Sequence, residues 1–273
     1  MLSPHTLLSL PTEIRLDIWD LVLTNDAFSH QENTHELVLN SQYTAPTQLN
    51  LLLTCHQIRN EIGIIPTFQR AAFVVKRLKE SPYSAFACQL LSLPKDLIAA
   101  VKKLVLPAQW LDFDDPTFWS GGAMFLEEKL QLFELTFFFE NKVDALASHA
   151  QGTICKPPPV HPMARRMRLW NHVQVLRFIR NESNVHLRKW YRALVGQILK
   201  EDHYQRYDSE QAPNLGMTRW EWKYDVKEHV AEFFAKPPHP VLPEAEYMEM
   251  VAPMIHDLIA DMEAEGDESL SLP

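Results

Sequence analysis

The densest chemistry in this chain is a run of cations: Arg165, Arg166, Arg168, Arg177, Arg180, Arg188, Lys189 and Arg192, with Glu182 as the one acid among them. Such a run could bind an acidic peptide, a phosphate or RNA. It could equally form a face that pairs with acids elsewhere in the chain. The second reading is favoured. Residues 241–273 carry Glu244, Glu246, Glu249, Asp257, Asp261, Glu263, Glu265, Asp267 and Glu268 with no Lys or Arg. That segment accounts for the whole net charge of −9 and is a ready counterweight. Neither nucleic acid nor an anionic membrane is expected as a partner.

A second group is Trp220, Trp222 and Tyr224, which alternate with Glu221, Lys223 and Asp225. An aromatic strand face could stack bases or a small ligand. Packing against a core is the simpler use of it.

Catalytic and metal patterns are missing. The 12 histidines form no H-E-x-x-H, and Cys55, Cys88 and Cys155 form no C-x-x-C. His30, Glu32, His35 and Glu36 lie together without a familiar ligand spacing. Asp112, Asp114 and Asp115 sit beside Pro116 and lack the glycine of a calcium loop. The 7 glycines cannot be arranged into a dinucleotide-binding, P-loop or nucleophile-elbow motif. No cofactor is expected, and the chain does not read as an enzyme.

The elements that must carry these residues follow from periodicity. Residues 10–24 read as a helix with Ile14, Ile18, Leu21 and Val22 on one stripe. Pro11 suits its first position, and Glu13 favours the positive end of its dipole. Glu36–Leu39 is a short strand candidate. A second helix is expected over 48–63, with Leu51, Cys55, Ile58 and Ile62 on one face and an exit forced by Pro66. A strand is expected at 71–75, and a helix over 84–101 that restarts at Pro94.

Then a spacing repeats. Val101-x-x-Leu104-x-Leu106 and Leu132-x-x-Leu135-x-Phe137 are offset by 31 residues, and Val173-x-x-Leu176-x-Phe178 follows after 41. With helical spacing at 124–133 between them, this is the rhythm of a leucine-rich-repeat-like stack of parallel strands. Residues 152–163, with Pro157, Pro158, Pro159 and Pro162, read as a Pro-rich loop. A helix at 184–206, a half-buried strand at 220–227 and an acidic helix at 244–264 complete the chain.

Two stretches resemble a known family. Leu10-Pro11-Thr12-Glu13-Ile14-Arg15 with Ile18-Trp19, and Leu51-Leu52-Leu53-Thr54-Cys55-His56-Gln57-Ile58 with Glu61, resemble the two halves of fungal F-box-like proteins. The later Phe73-Val74-Val75 resembles their following strand. The resemblance implies an adaptor that docks a Skp1-type linker protein and presents an unknown target protein for ubiquitin transfer. Its docking residues would be Leu10, Pro11, Glu13, Ile14, Ile18, Trp19, Cys55 and Ile58. Pro11 and Cys55 are 44 residues apart, more than in an ordinary F-box. The same helices could instead pack into the protein's own core, giving a self-contained interaction domain.

The expected fold class is α+β: an F-box-like helical module (1–66), a strand–helix interaction region (67–240), and an acidic helix and tail (241–273). Three widely spaced cysteines predict a reducing compartment, and no secretory signal or membrane span is legible. The expected location is cytoplasmic or nuclear.

Overall fold

Three copies of one spacing become three neighbouring strands. The structure, a computed structural model, describes residues 7–23, 27–30, 37–39, 52, 56–74, 93–108, 130–139, 160–180, 184–214, 218–238 and 240–270. A 3₁₀ turn (Leu7–Ser9) leads into α1 (Thr12–Leu23), followed by β1 (Phe28–His30) and β2 (Leu37–Leu39). Next come α2 (His56–Ile62), α3 (Ile64–Arg70), β3 (Ala72–Val74), α4 (Lys95–Ala100), β4 (Lys103–Ala108) and β5 (Glu134–Phe139). The remainder is α5 (Val160–Leu169), β6 (Val175–Arg180) and α6 (Asn184–His203), which runs into a π-helical turn (Tyr204–Asp208). β7 (Arg219–Asp225), β8 (Val230–Lys236) and α7 (Glu244–Leu270) close the chain.

The six-stranded sheet has the order β3-β4-β5-β6-β8-β7. It is parallel from β3 to β6 and antiparallel beyond. The repeated spacing sets its register: Leu104 stands beside Leu135, and Leu135 beside Leu176. Leu106, Phe137 and Phe178 form the next row. Helices together with this mixed sheet make the class α+β.

Alternation along the strands divides the core in two. One face carries Leu104, Leu135, Phe137, Leu176, Phe178 and Phe233, packed with Met163 and Met167 of α5 and Leu187, Trp190 and Leu194 of α6. Phe178 is at the middle of it. Its ring stacks on Phe137 at 5.3 Å and meets Trp190 and Phe233 edge-on at 4.8 and 5.8 Å. The other face carries Val105, Phe138, Ile179 and Val230, packed with Ala27, the residue before β1, and with Phe28 and Leu37 of the antiparallel β1–β2 pair.

Several expectations are corrected. The break after α2 is made by Gly63, whose φ of +76° suits a residue without Cβ. Pro66 falls in the first turn of α3, where its missing N–H has no partner to lose. For the same reason Pro162 sits in the first turn of α5, so residues 160–163 are helical and not loop. Residues 130–133, expected to end a helix, precede β5 without forming one. The expected acidic helix does form, as Glu244–Leu270, and it joins the core: Tyr247 and Val251 of α7 are buried and Leu258 packs on the main core. The expected helical turns at 84–92 and 124–129, and the prolines 157–159, lie outside the described residues.

Candidate functional site

Arg15 decides which side of α1 turns inward. Its Nε donates to Glu61 Oε2 at 3.1 Å, and the second arm of the fork reaches Glu61 Oε1 at 2.5 Å. The remaining guanidinium donors reach the carbonyl oxygens of Leu8 and Leu10, and Thr12 Oγ1 at 3.1 Å. One side chain thus ties the 3₁₀ turn, α1 and α2 together. Arg15 holds the Glu61 carboxyl below its ordinary range, with help from Gln57, whose Nε2 donates to it at 3.0 Å. A bidentate pair of this kind fixes geometry as well as adding energy.

Trp19, one turn after Arg15, is carried inward as well. It is 3% exposed and packs with Leu52, Ile58 and Ile62 in a small cluster of its own. Ile64 touches both this cluster and the main core. An ion pair between Asp20 and Arg70, at 2.8 Å, spans α1 and α3.

The apolar stripe legible in α1 is therefore not its buried face. Ile14 is 47% exposed, Leu21 74%, and Ile18 half-buried. Leu7, Leu8 and Leu10 in the preceding turn are exposed too. Single exposed leucines are ordinary, but a run of them along one helix start is the form a docking ridge takes. Pro11 and Glu13 are exposed beside it. Trp19 and Ile58, both expected on the docking face, are buried and offer a partner no area; they hold the module together instead. Cys55 lies outside the described residues.

The basic run is largely spent on internal ion pairs. Arg192, on α6, reaches Asp261 of α7 at 2.5 Å, and Arg188 joins the same carboxylate. Arg177 lies between Glu134 at 2.6 Å and Glu232 at 2.8 Å on the adjoining strands. Arg165 pairs with Glu201, and Arg168 with Asp202 at 3.2 Å. Arg165 and Lys189 are the members of the run whose described side chains are exposed.

Asp202 is the hub of a second network. It accepts hydrogen bonds from Arg206 Nε at 2.8 Å, Tyr247 Oη at 2.7 Å and Arg168. Burial by itself would raise its pKa, yet the two arginines and the phenol hold the carboxyl below its usual range. Burial, reinforced by the neighbouring Asp202 charge, pushes the Tyr247 phenol up. Arg206 also lies over the Tyr247 ring, 5.0 Å from its centre. These contacts seat the N-terminal half of α7 on α6.

Between β7, α6 and α7 a groove of about 520 Å³ remains open. Trp222, Tyr224 and Tyr191 form its aromatic wall, with Tyr191 and Tyr224 ring centres 5.2 Å apart. Met254, Asp257 and Leu258 line it from α7. The expected strand face is real, and half of it is open. The aromatic period was legible; the groove was not, because α7 reaches β7 only through the tertiary fold.

Among the described residues no cluster of three or more His, Cys, Asp or Glu gathers as a metal site would, and no helix is long and apolar enough to cross a membrane. Asp112, Asp114, Asp115, Glu32 and His35 lie outside the described residues. No protein-family model matches the chain, and neither a curated protein nor a solved structure matches it.

Proposed function

We propose that the chain is an F-box-like adaptor whose N-terminal ridge docks a Skp1-type linker protein and whose strand–helix region holds a target protein for ubiquitin transfer. One observation carries this reading: Leu10 and Ile14 stand open at the start of α1 while Arg15 and Trp19 anchor the same helix from its other side. A helix already held in place loses little order on binding. Each apolar side chain it buries then contributes about 25 cal/mol per Å². The three parallel strands sharing one spacing, with their helices on one face, support a leucine-rich-repeat-like reading of the target-holding part.

Leu10→Asp combined with Ile14→Asp should abolish co-purification with a Skp1-type linker and leave the melting temperature unchanged, since both side chains already meet water. If the unaltered chain forms no complex, or if the double variant still binds, the adaptor reading fails.

The Arg15–Glu61 pair and the shared packing of Ile64 favour a second reading, in which the module belongs to the core of a self-contained interaction domain that binds no linker. Deleting residues 1–66 should then abolish cooperative melting of the remainder. A truncated chain that melts at the full-length temperature would argue against it.

A further inference from the structure

β7 ends one side of the sheet with seven residues, so among the described residues no strand pairs with its outer edge. Thr218, Arg219, Trp220, Glu221 and Trp222 all line the groove, consecutive residues that point to both faces of the pleat, so the groove opens along that edge. An open edge is a template for another strand.

Opposite their aromatic face, β7 and β8 carry Arg219, Lys223 and Lys236 against Glu221, Asp225 and Glu232, three charges of each sign. Net charge therefore favours neither a cationic nor an anionic occupant. The order of the signs does select one. Along β7 they alternate: Arg219 positive, Glu221 negative, Lys223 positive, Asp225 negative. Against a second copy running antiparallel with Trp222 opposite itself, every charge meets its opposite. Arg219 then faces Asp225 of the second copy, and Glu221 faces Lys223 of the second copy, each pair occurring twice by symmetry. On the aromatic face Trp220 meets Tyr224 and Trp222 meets Trp222, cross-strand pairs that sheets favour. A slip of two residues either way sets Lys223 on Lys223 or Glu221 on Glu221. A slip of one turns the copy's aromatic face to the wrong side. Charges on an edge ordinarily keep strands apart; this order keeps apart all registers but one. The same alternation already crosses the sheet, where Arg177 pairs with Glu232 at 2.8 Å and Lys223 stands opposite Glu232. Glu221 of the second copy would extend that row.

We propose that the chain forms a two-fold dimer in which the β7 strands of two copies pair antiparallel about Trp222, joining the two six-stranded sheets into one. Backbone hydrogen bonds along the edge and the facing aromatic rings supply the affinity. Glu221 is already drawn toward Arg219 at 2.9 Å and Lys236 at 3.3 Å within its own chain, so the charges add little attraction. They supply the register, by making every other alignment repulsive.

Analytical ultracentrifugation over a dilution series tests this. The unaltered chain should form a dimer that dissociates on dilution, since a seven-residue edge is a small interface. Amide exchange over Arg219–Asp225 should slow as concentration rises. Lys223→Glu and Glu221→Lys should each raise the dissociation constant about tenfold, because symmetry applies each change twice. Mixed in equal amounts, the two variants should dimerise again, for the two glutamates of one strand then face the two lysines of the other. That rescue follows from the register centred on Trp222 and is not produced by a loss of stability in either variant. An unaltered chain that stays monomeric at every concentration, assembly beyond a dimer, a dimer indifferent to Lys223→Glu, or a mixture that stays monomeric would each overturn the proposal. The variant carrying Leu10→Asp and Ile14→Asp leaves β7 untouched and should still dimerise, so this proposal and the adaptor reading fail separately.

Discussion

Asp202→Ala should lower the unfolding free energy by about 3 kcal/mol, which is how much breaking a buried charge network by removing one partner costs. Arg168 and Arg206 are both buried, and each directs a donor at this carboxylate. Without it, two guanidinium groups lose their nearest countercharge and Tyr247 loses the acceptor for its hydroxyl. Asp202→Asn keeps an acceptor for Tyr247 and loses only the charge, so its cost should be smaller. Urea denaturation of the three proteins checks the order. Equal stability of the Ala variant and the unaltered chain would mean that α7 is held by packing alone.

The same carboxylate sets an acid limit. Its pKa in the folded chain lies below the ordinary value of 3.8. A depressed carboxylate contributes stability in full above its unfolded pKa, and that contribution is lost as pH falls through the folded value. Stability should therefore decline below about pH 4 in the unaltered chain. The decline should be shallower in Asp202→Ala. Asp261, held down chiefly by its hydrogen bond from Arg192 and further by Arg188, adds to the loss in the same direction.

Phe178→Ala should be at least as severe, at about 3–5 kcal/mol, the usual cost of removing a fully buried aromatic ring. Phe178 is fully buried on the central strand β6, and its ring meets Phe137, Phe139, Trp190 and Phe233. Rings on β5, β8 and α6 would line the cavity, and a sheet with neighbours on both sides closes poorly over a void. Phe178→Leu refills most of the volume and should recover much of the loss. Thermal melting of the two variants tests this. A mild Phe178→Ala effect would mean that the aromatic stack contributes little beyond area.

Much of this fold was legible in the residues. The apolar-x-x-apolar-x-apolar spacing predicted parallel strands, and its offsets of 31 and 41 are the registers observed. The alternation from Trp220 to Asp225 predicted β7. The acids of the last segment were expected to pair with the basic run; Asp261 takes Arg188 and Arg192, while Arg165, Arg168 and Arg177 pair with Glu201, Asp202, Glu134 and Glu232. β8 was missed, because Val230-Ala231-Glu232-Phe233-Phe234 breaks the alternation. It is a strand because β6 and β7 bracket it. Helix α5 was missed because the prolines before it read as loop, although a proline in a first turn costs no hydrogen bond.

The N-terminal module shows where sequence stops and structure begins. Spacing alone determined that 12–23 is a helix with Ile14, Ile18 and Leu21 on one stripe, because helical period is a local property of the chain. It could not say whether that stripe faces core or water. The choice is made by Glu61, 46 residues away, which takes the Arg15 fork and turns the Trp19 side of the helix inward. The groove at β7 is the same case, since a strand's edge and the helix beside it are distant in sequence. Local periodicity writes the elements, and long-range pairing decides which of their faces are left for a partner.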